Sequence, residues 1–170
     1  IVPEGLTGPQ LSFNFTVRTT QKGGYAMIEP DTIKLLRECD AGIKMGVKSI
    51  GDVLDRVKNT DLKQLLNNCK DEHDKLDKEL QQLLGQYEDD GKDPNFIAEK
   101  MAKMKTEMKL QMNETDNTIA DLMTDGCNMG VKSLNKYLNQ YAAADEKSKD
   151  ITKRLINLEG QLALDIRKFL

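Results

Sequence analysis

A nine-residue stretch occurs twice in this chain, in the same helical register. Gly42-Ile43-Lys44-Met45-Gly46-Val47-Lys48-Ser49-Ile50 and Gly126-Cys127-Asn128-Met129-Gly130-Val131-Lys132-Ser133-Leu134 share six of nine residues. Around the first copy, Leu36, Asp40, Ile43, Val47, Ile50, Leu54 and Val57 advance in steps of four and three. That spacing gathers side chains on one face of an α-helix. Around the second copy, Ala120, Thr124, Cys127, Val131, Leu134, Leu138 and Tyr141 follow in the same steps, each 84 positions later. Identity and register agree together, which points to a duplicated unit and two halves related by a pseudo-twofold axis.

A second seam follows each copy. Leu62, Leu66, Cys69, His73, Leu76, Leu80, Leu83 and Tyr87 come after Asn59-Thr60, and Ile151, Leu155, Leu158, Leu162, Ile166 and Phe169 come after Ala142 to Ala144. Helices of about 27 residues, about 40 Å long, joined by turns this short imply antiparallel hairpins. Asp31 after Pro30, Thr60 and Asp145 are the expected N-caps. Asp89-Asp90-Gly91-Lys92-Asp93-Pro94 ends the first hairpin, and Asp93 with Pro94 reads as the N-cap and first residue of a shorter helix. The expected architecture is all-α, a four-helix bundle over residues 31–170. Its parts are a first hairpin at 31–88, a long crossover containing the short helix at 89–114, and a second hairpin at 115–170.

Residues 1–30 carry a different pattern. Leu11, Phe13, Phe15 and Val17 alternate with Ser12, Asn14 and Thr16, the period of a half-buried strand, between Gly5, Gly8 and Pro9 on one side and Gly23-Gly24 on the other. A lone strand cannot satisfy its own backbone groups. This N-terminal extension is therefore expected to pair with another chain, pack on the bundle or stay disordered. Met27 offers a natural start, so residues 1–26 read equally well as an added extension.

Composition narrows the function. The chain has 170 residues, 38% hydrophobic and 31% charged with no Trp, which suits one Leu-rich helical domain. Its formal charge of −3 is small and both signs are interspersed, leaving no basic stripe for nucleic acid and no polybasic tail for a membrane. No apolar run approaches the roughly 20 residues that span a bilayer, and the first residues lack the pattern of a secretory signal. Cys39, Cys69 and Cys127 are odd in number and fall on core positions, so they read as reduced thiols of a cytoplasmic protein. With no Ser-His-Asp set, phosphate loop or Cys-x-x-Cys pair, nothing argues for an enzyme.

Glycine costs roughly 1 kcal/mol against alanine inside a helix, so Gly42, Gly46, Gly126 and Gly130 need a reason. The expectation is that the first and third long helices cross there with their backbones close, the alternative being a binding cavity at the crossing. Ile97, Met101, Met104, Met108 and Met112 form one stripe on the crossover helix. Flexible thioethers fill irregular gaps, so the stripe is expected to pack on the bundle or to serve as an interface for a partner or second subunit.

Two long hairpins, a long crossover and the repeated Gly-x-x-Met-Gly-Val-Lys-Ser motif resemble the ferritin-like superfamily, most closely its small bacterial members with a duplicated hairpin. The resemblance covers residues 31–170. It implies a site for iron or another divalent metal, built in di-iron members from a Glu on two helices and a Glu-x-x-His pair on the other two. This chain departs from that pattern, because His73 is the sole histidine and Lys70 stands three before it. A reduced ligand set would draw on Glu38 or Asp40 with Glu72 and His73, and on Asp121, Asp125 or Glu159. The simpler reading makes Asp40 and His73 buried polar residues that bond across the hairpin and fix its register. The expected role is then non-enzymatic and works through protein association, as a homo-oligomer or with a protein partner.

Overall fold

Helix starts in this chain follow local capping chemistry. In the computed structural model, which describes residues 29–170, Pro30 occupies the first turn of α1 (Pro30–Leu54) after Glu29, whose side chain makes no capping bond. Asn59 caps α2 (Thr60–Gln86) by accepting from the Asp61 and Leu62 amides. Asn95 does the same for α3 (Phe96–Met112), Thr115 caps α4 (Asp116–Gln140), and Asp145 caps α5 (Glu146–Asp165) through the Ser148 amide. A short 3-10 turn, Ile166–Phe169, closes the chain. The Asp145 cap agrees with the sequence. Asp31, Thr60 and Asp93 are displaced by Glu29, Asn59 and Asn95, because in each case the chain enters the helix one or two residues away from the expected position.

The described residues are all-helical. The strand pattern of Leu11, Phe13, Phe15 and Val17, and Met27, lie outside them. α1 packs on α2 and α4 on α5, and α1 and α2 both also meet α5, while α1 meets α4. Two apolar clusters fill the space between these helices. One joins Ile50 and Val53 of α1 to Leu62 and Leu66 of α2, Ile119 and Met123 of α4, and Leu162 of α5. The other joins Leu36 and Ile43 to Leu80 and Leu84, Leu134, and Ile151 and Leu155. The end of α1 thus meets the start of α2, and the start of α1 meets the end of α2, so the pair runs antiparallel; α4 and α5 do likewise. Most of the expected seam residues are buried, while Val47, Leu54, Val131, Leu138 and Leu158 are partly buried and Leu84 takes the place given to Leu83.

The two interhelix turns are held in the same way. Asp116, at the start of α4, accepts from the Lys58 and Asn59 amides at 2.8 and 3.0 Å. At the start of α1, Asp31 accepts from the Ala143 amide at 3.3 Å and Thr32 from the Asp145 amide at 2.8 Å. Each hairpin's turn is therefore stapled by the first residues of the other hairpin.

Candidate functional site

Between the two apolar clusters lies a polar layer. His73 on α2 is 1% exposed, and its Nε2 sits 3.1 Å from Oε1 of Glu159 on α5, itself 9% exposed. The other ring nitrogen, Nδ1, lies 2.9 Å from the Cys69 carbonyl one turn earlier. Both nitrogens face acceptors, and only the doubly protonated imidazolium can donate to both. Burial alone would lower the His73 pKa. The hydrogen bonds to Cys69 and Glu159 and the glutamate charge outweigh it and hold His73 up to about 10. With His73 protonated, the pair is a buried salt bridge.

The glycines explain how two polar side chains fit there. A Cβ on Gly46 of α1 would lie 2.8 Å from His73 Nε2, and a Cβ on Gly130 of α4 would lie 3.3 Å from Glu159 Cδ. Gly46 and Gly130 thus leave room for His73 and Glu159. This corrects the expected close backbone crossing. The atoms nearest to Gly42, Gly46 and Gly130 belong to side chains, Leu155 and Leu134 in the case of Gly42, and Gly126 faces open space. The space is filled by protein, so it is not a binding cavity either. The sequence reading named both residues but did not pair them, and the spacing that pairs them shows only once burial is known. Buried positions on α2 and α5 correspond at a spacing of 86, Leu62 with Ser148, Leu66 with Thr152, Cys69 with Leu155 and Leu76 with Leu162. The same spacing matches His73 to Glu159.

Two thiols border the layer. Cys69 Sγ is 3.6 Å from His73 Nδ1, and burial followed by the Glu159 charge pushes the Cys127 thiol pKa strongly up. Cys39, nearer the other end, is 3.1 Å from Thr152 Oγ1, and burial raises its thiol pKa to about 12. All three cysteines are free and buried. Thiols held protonated, as at Cys39 and Cys127, are poor nucleophiles and poor metal ligands.

Of the candidate metal ligands, the fold brings together His73 and Glu159 alone. Glu38 pairs with Lys92 at 2.6 Å, Glu72 with Lys75 at 2.6 Å, Asp121 with Lys109 at 2.6 Å and Asp125 with Lys105 at 2.8 Å. Asp40 is fully buried and accepts from Gln81 on α2 at 2.9 Å, the Lys92 amide at 2.7 Å and Lys44 at 3.1 Å. It pins the start of the crossover against Gly91, whose φ of 76° belongs to the left-handed region that favours glycine. Asp40 therefore bonds across its own hairpin as expected, whereas His73 bonds to the other hairpin. Among the described residues, no group of three His, Cys, Asp or Glu is placed to hold a metal ion.

The crossover helix shows the opposite arrangement. Met101, Met104 and Met108 are 62–65% exposed, Ile97 67% and Met112 84%. At about 100° per residue these five fall within roughly 80° of arc. They face outward, contrary to the packing expected of the stripe. Leu110, on the other side of α3, is the residue that enters the core. Charges hold the rest. Glu99 pairs with Lys48 on α1, Glu107 with Arg56 in the turn just after α1, and Lys105 and Lys109 pair with Asp125 and Asp121 on α4. α3 therefore runs parallel to α1 and antiparallel to α4. The α4 register sets Met101 level with Met129, which is 69% exposed. No helix among the described residues is long and apolar enough to cross a membrane. Comparisons with protein families, curated proteins and solved structures find no match to this chain.

Proposed function

We propose that the chain is a non-enzymatic, ferritin-like four-helix bundle of two duplicated hairpins that works through protein association, using the outward face of α3. The observation that carries the reading is the run of large apolar side chains from Ile97 to Met112 left in solvent on a helix anchored from behind. Scattered exposed apolar residues are ordinary, but a contiguous apolar face marks an interaction site. Methionine suits it, since flexible thioethers adapt to a partner's shape. The duplication is supported by the reciprocal turn staples and by the matched placement of Gly46 beside His73 and Gly130 beside Glu159.

The test is the mass of the full chain in solution, by sedimentation velocity, against a variant carrying Met101→Glu, Met104→Glu and Met108→Glu. The reading expects an assembly above the 19.2 kDa chain mass that falls to that mass in the variant, with helicity unchanged. An assembly indifferent to the three substitutions would refute it. The competing reading, a metal-binding protein with a reduced ligand set, must use His73 and Glu159. Stoichiometric iron, manganese or zinc in purified chain, lost on His73→Ala, would favour that reading.

A further inference from the structure

We infer that the outward face of α3 pairs with the same face of a second copy of this chain, the two α3 helices antiparallel about a twofold axis. This rests on the association reading above and adds the partner and its orientation. The stripe advances by four, three and four through Ile97, Met101, Met104 and Met108, the spacing of a helix-pairing seam. An antiparallel twofold sets Ile97 against Met108 and Met101 against Met104 of the second copy, and symmetry repeats both layers.

The flanking charges select this arrangement. Lys100 and Glu107 lie on one flank of the stripe, seven residues or about two turns apart. The twofold brings Lys100 of each copy opposite Glu107 of the other, giving two attractive pairs. A parallel pairing would instead set Lys100 toward Lys105 of the second copy, which Asp125 of its own chain already holds, so Lys100 would gain no acidic partner. The other flank brings no uncompensated charge, because Lys105 and Lys109 are already matched by Asp125 and Asp121 of their own chain.

The experiment is sedimentation equilibrium on the full chain as wild type, Lys100→Glu, Glu107→Lys, a 1:1 mixture of those two variants, and Met104→Glu. The wild type is expected to dimerise. Each flank variant opposes like charges in both pairs and should weaken its homodimer about tenfold. The mixture restores both pairs and should return to within about threefold of wild type. Glu107→Lys also loses the contact to Arg56 inside its own chain, but mixing cannot repair that loss, so recovery reports the contact between chains. A wild type monomeric at every concentration overturns the inference and leaves the face to a different partner. If Met104→Glu dissociates the dimer but mixing restores nothing, the α3 face stands and the antiparallel pairing falls. If the dimer ignores Met104→Glu as well, the association reading of this face fails with it.

Discussion

The centre of the molecule and its crossover helix invert each other. At the centre, a charged pair sits inside apolar seams, with His73 and Glu159 between clusters built from Leu, Ile and Cys. On α3, charged side chains are turned toward the protein and the apolar stripe toward water. The difference lies in what each region can offset. Burying ions costs several kcal/mol each, and that cost is tolerable only with partners on every donor and acceptor. The centre supplies them, and no buried side-chain polar atom among the described residues lacks a partner. On α3 the ion pairs are half exposed and individually weak, so the helix is lightly held, and its apolar face gains most from a partner.

The largest effect should come from breaking the central pair. His73→Ala leaves Glu159 buried and unpaired and is expected to cost about 3–5 kcal/mol in urea unfolding. The double variant His73→Leu with Glu159→Leu removes both charges and should recover most of that loss, as replacement of buried ion pairs by apolar residues often does. Equal losses in single and double variants would mean that the two side chains are not coupled. The association of α3 is expected to be unchanged in both, which separates the two regions.

A somewhat smaller effect should follow from pH alone. His73 has its pKa raised from 6.5 to about 10 by folding. The stability it contributes is therefore fully present below about pH 6.5 and is lost as pH rises toward 10, on the order of a few kcal/mol. Urea midpoints measured from pH 6 to pH 10 should fall across that window in the wild type. In the double Leu variant the His73 component of the fall should be missing. A wild-type profile parallel to that of the variant would show that His73 is not a cation in the native state.

How much of this was legible in the sequence depended on range. Helix positions, the two short turns and the core seams follow from local spacing, and Leu36, Ile43, Leu62, Leu66 and Leu155 are essentially inaccessible to water. Asp145 caps where expected, while three other helix starts came out a position or two away, Asn59 and Asn95 taking the cap from neighbouring residues and α1 beginning after Glu29 with no side-chain cap at all. His73 was visible as a polar interruption, but its partner lies 86 residues away on another helix. A seam shows which face is buried, and nothing in it says which of three neighbouring helices a given residue meets. The glycines misled for the same reason. Absence of a side chain creates space, and the sequence of one helix does not show whether a backbone or an imidazole from elsewhere fills it. The methionine stripe misled differently, because α3 has apolar residues on two faces and Leu110, rather than the longer stripe, faces inward.

Alanine at the glycines sharpens the central half of the comparison. Gly46→Ala puts a methyl group 2.8 Å from His73 Nε2 and should cost about 1–3 kcal/mol as the pair is pushed apart. Gly130→Ala meets Glu159 Cδ at a less severe 3.3 Å, and part of the crowding is offset by a helix-propensity gain of roughly 1 kcal/mol. Gly126→Ala projects into open space and should gain that amount without opposition. Thermal unfolding of the three variants should therefore rank Gly46→Ala below Gly130→Ala and both below Gly126→Ala. A Gly46→Ala variant as stable as wild type would remove the steric account of the central layer.

The smallest effect concerns how α3 is held. Four ion pairs to α1, the turn after it and α4, together with Leu110, fix it, and each such pair contributes about 0–1 kcal/mol and is screened by salt. Raising sodium chloride to about 1 M, where the screening length is about 3 Å, should speed hydrogen exchange of the α3 amides about five- to tenfold through local opening. Amides of α1 and α4 near Ile43 and Leu134 should hold their rates, because apolar burial secures them and salt does not weaken it. Dilute protein is needed, so that self-association through the methionines does not protect the helix. Equal acceleration in all helices would mean that α3 is no more loosely held than the rest, and the contrast between an ion-locked centre and an ion-tethered crossover would be lost.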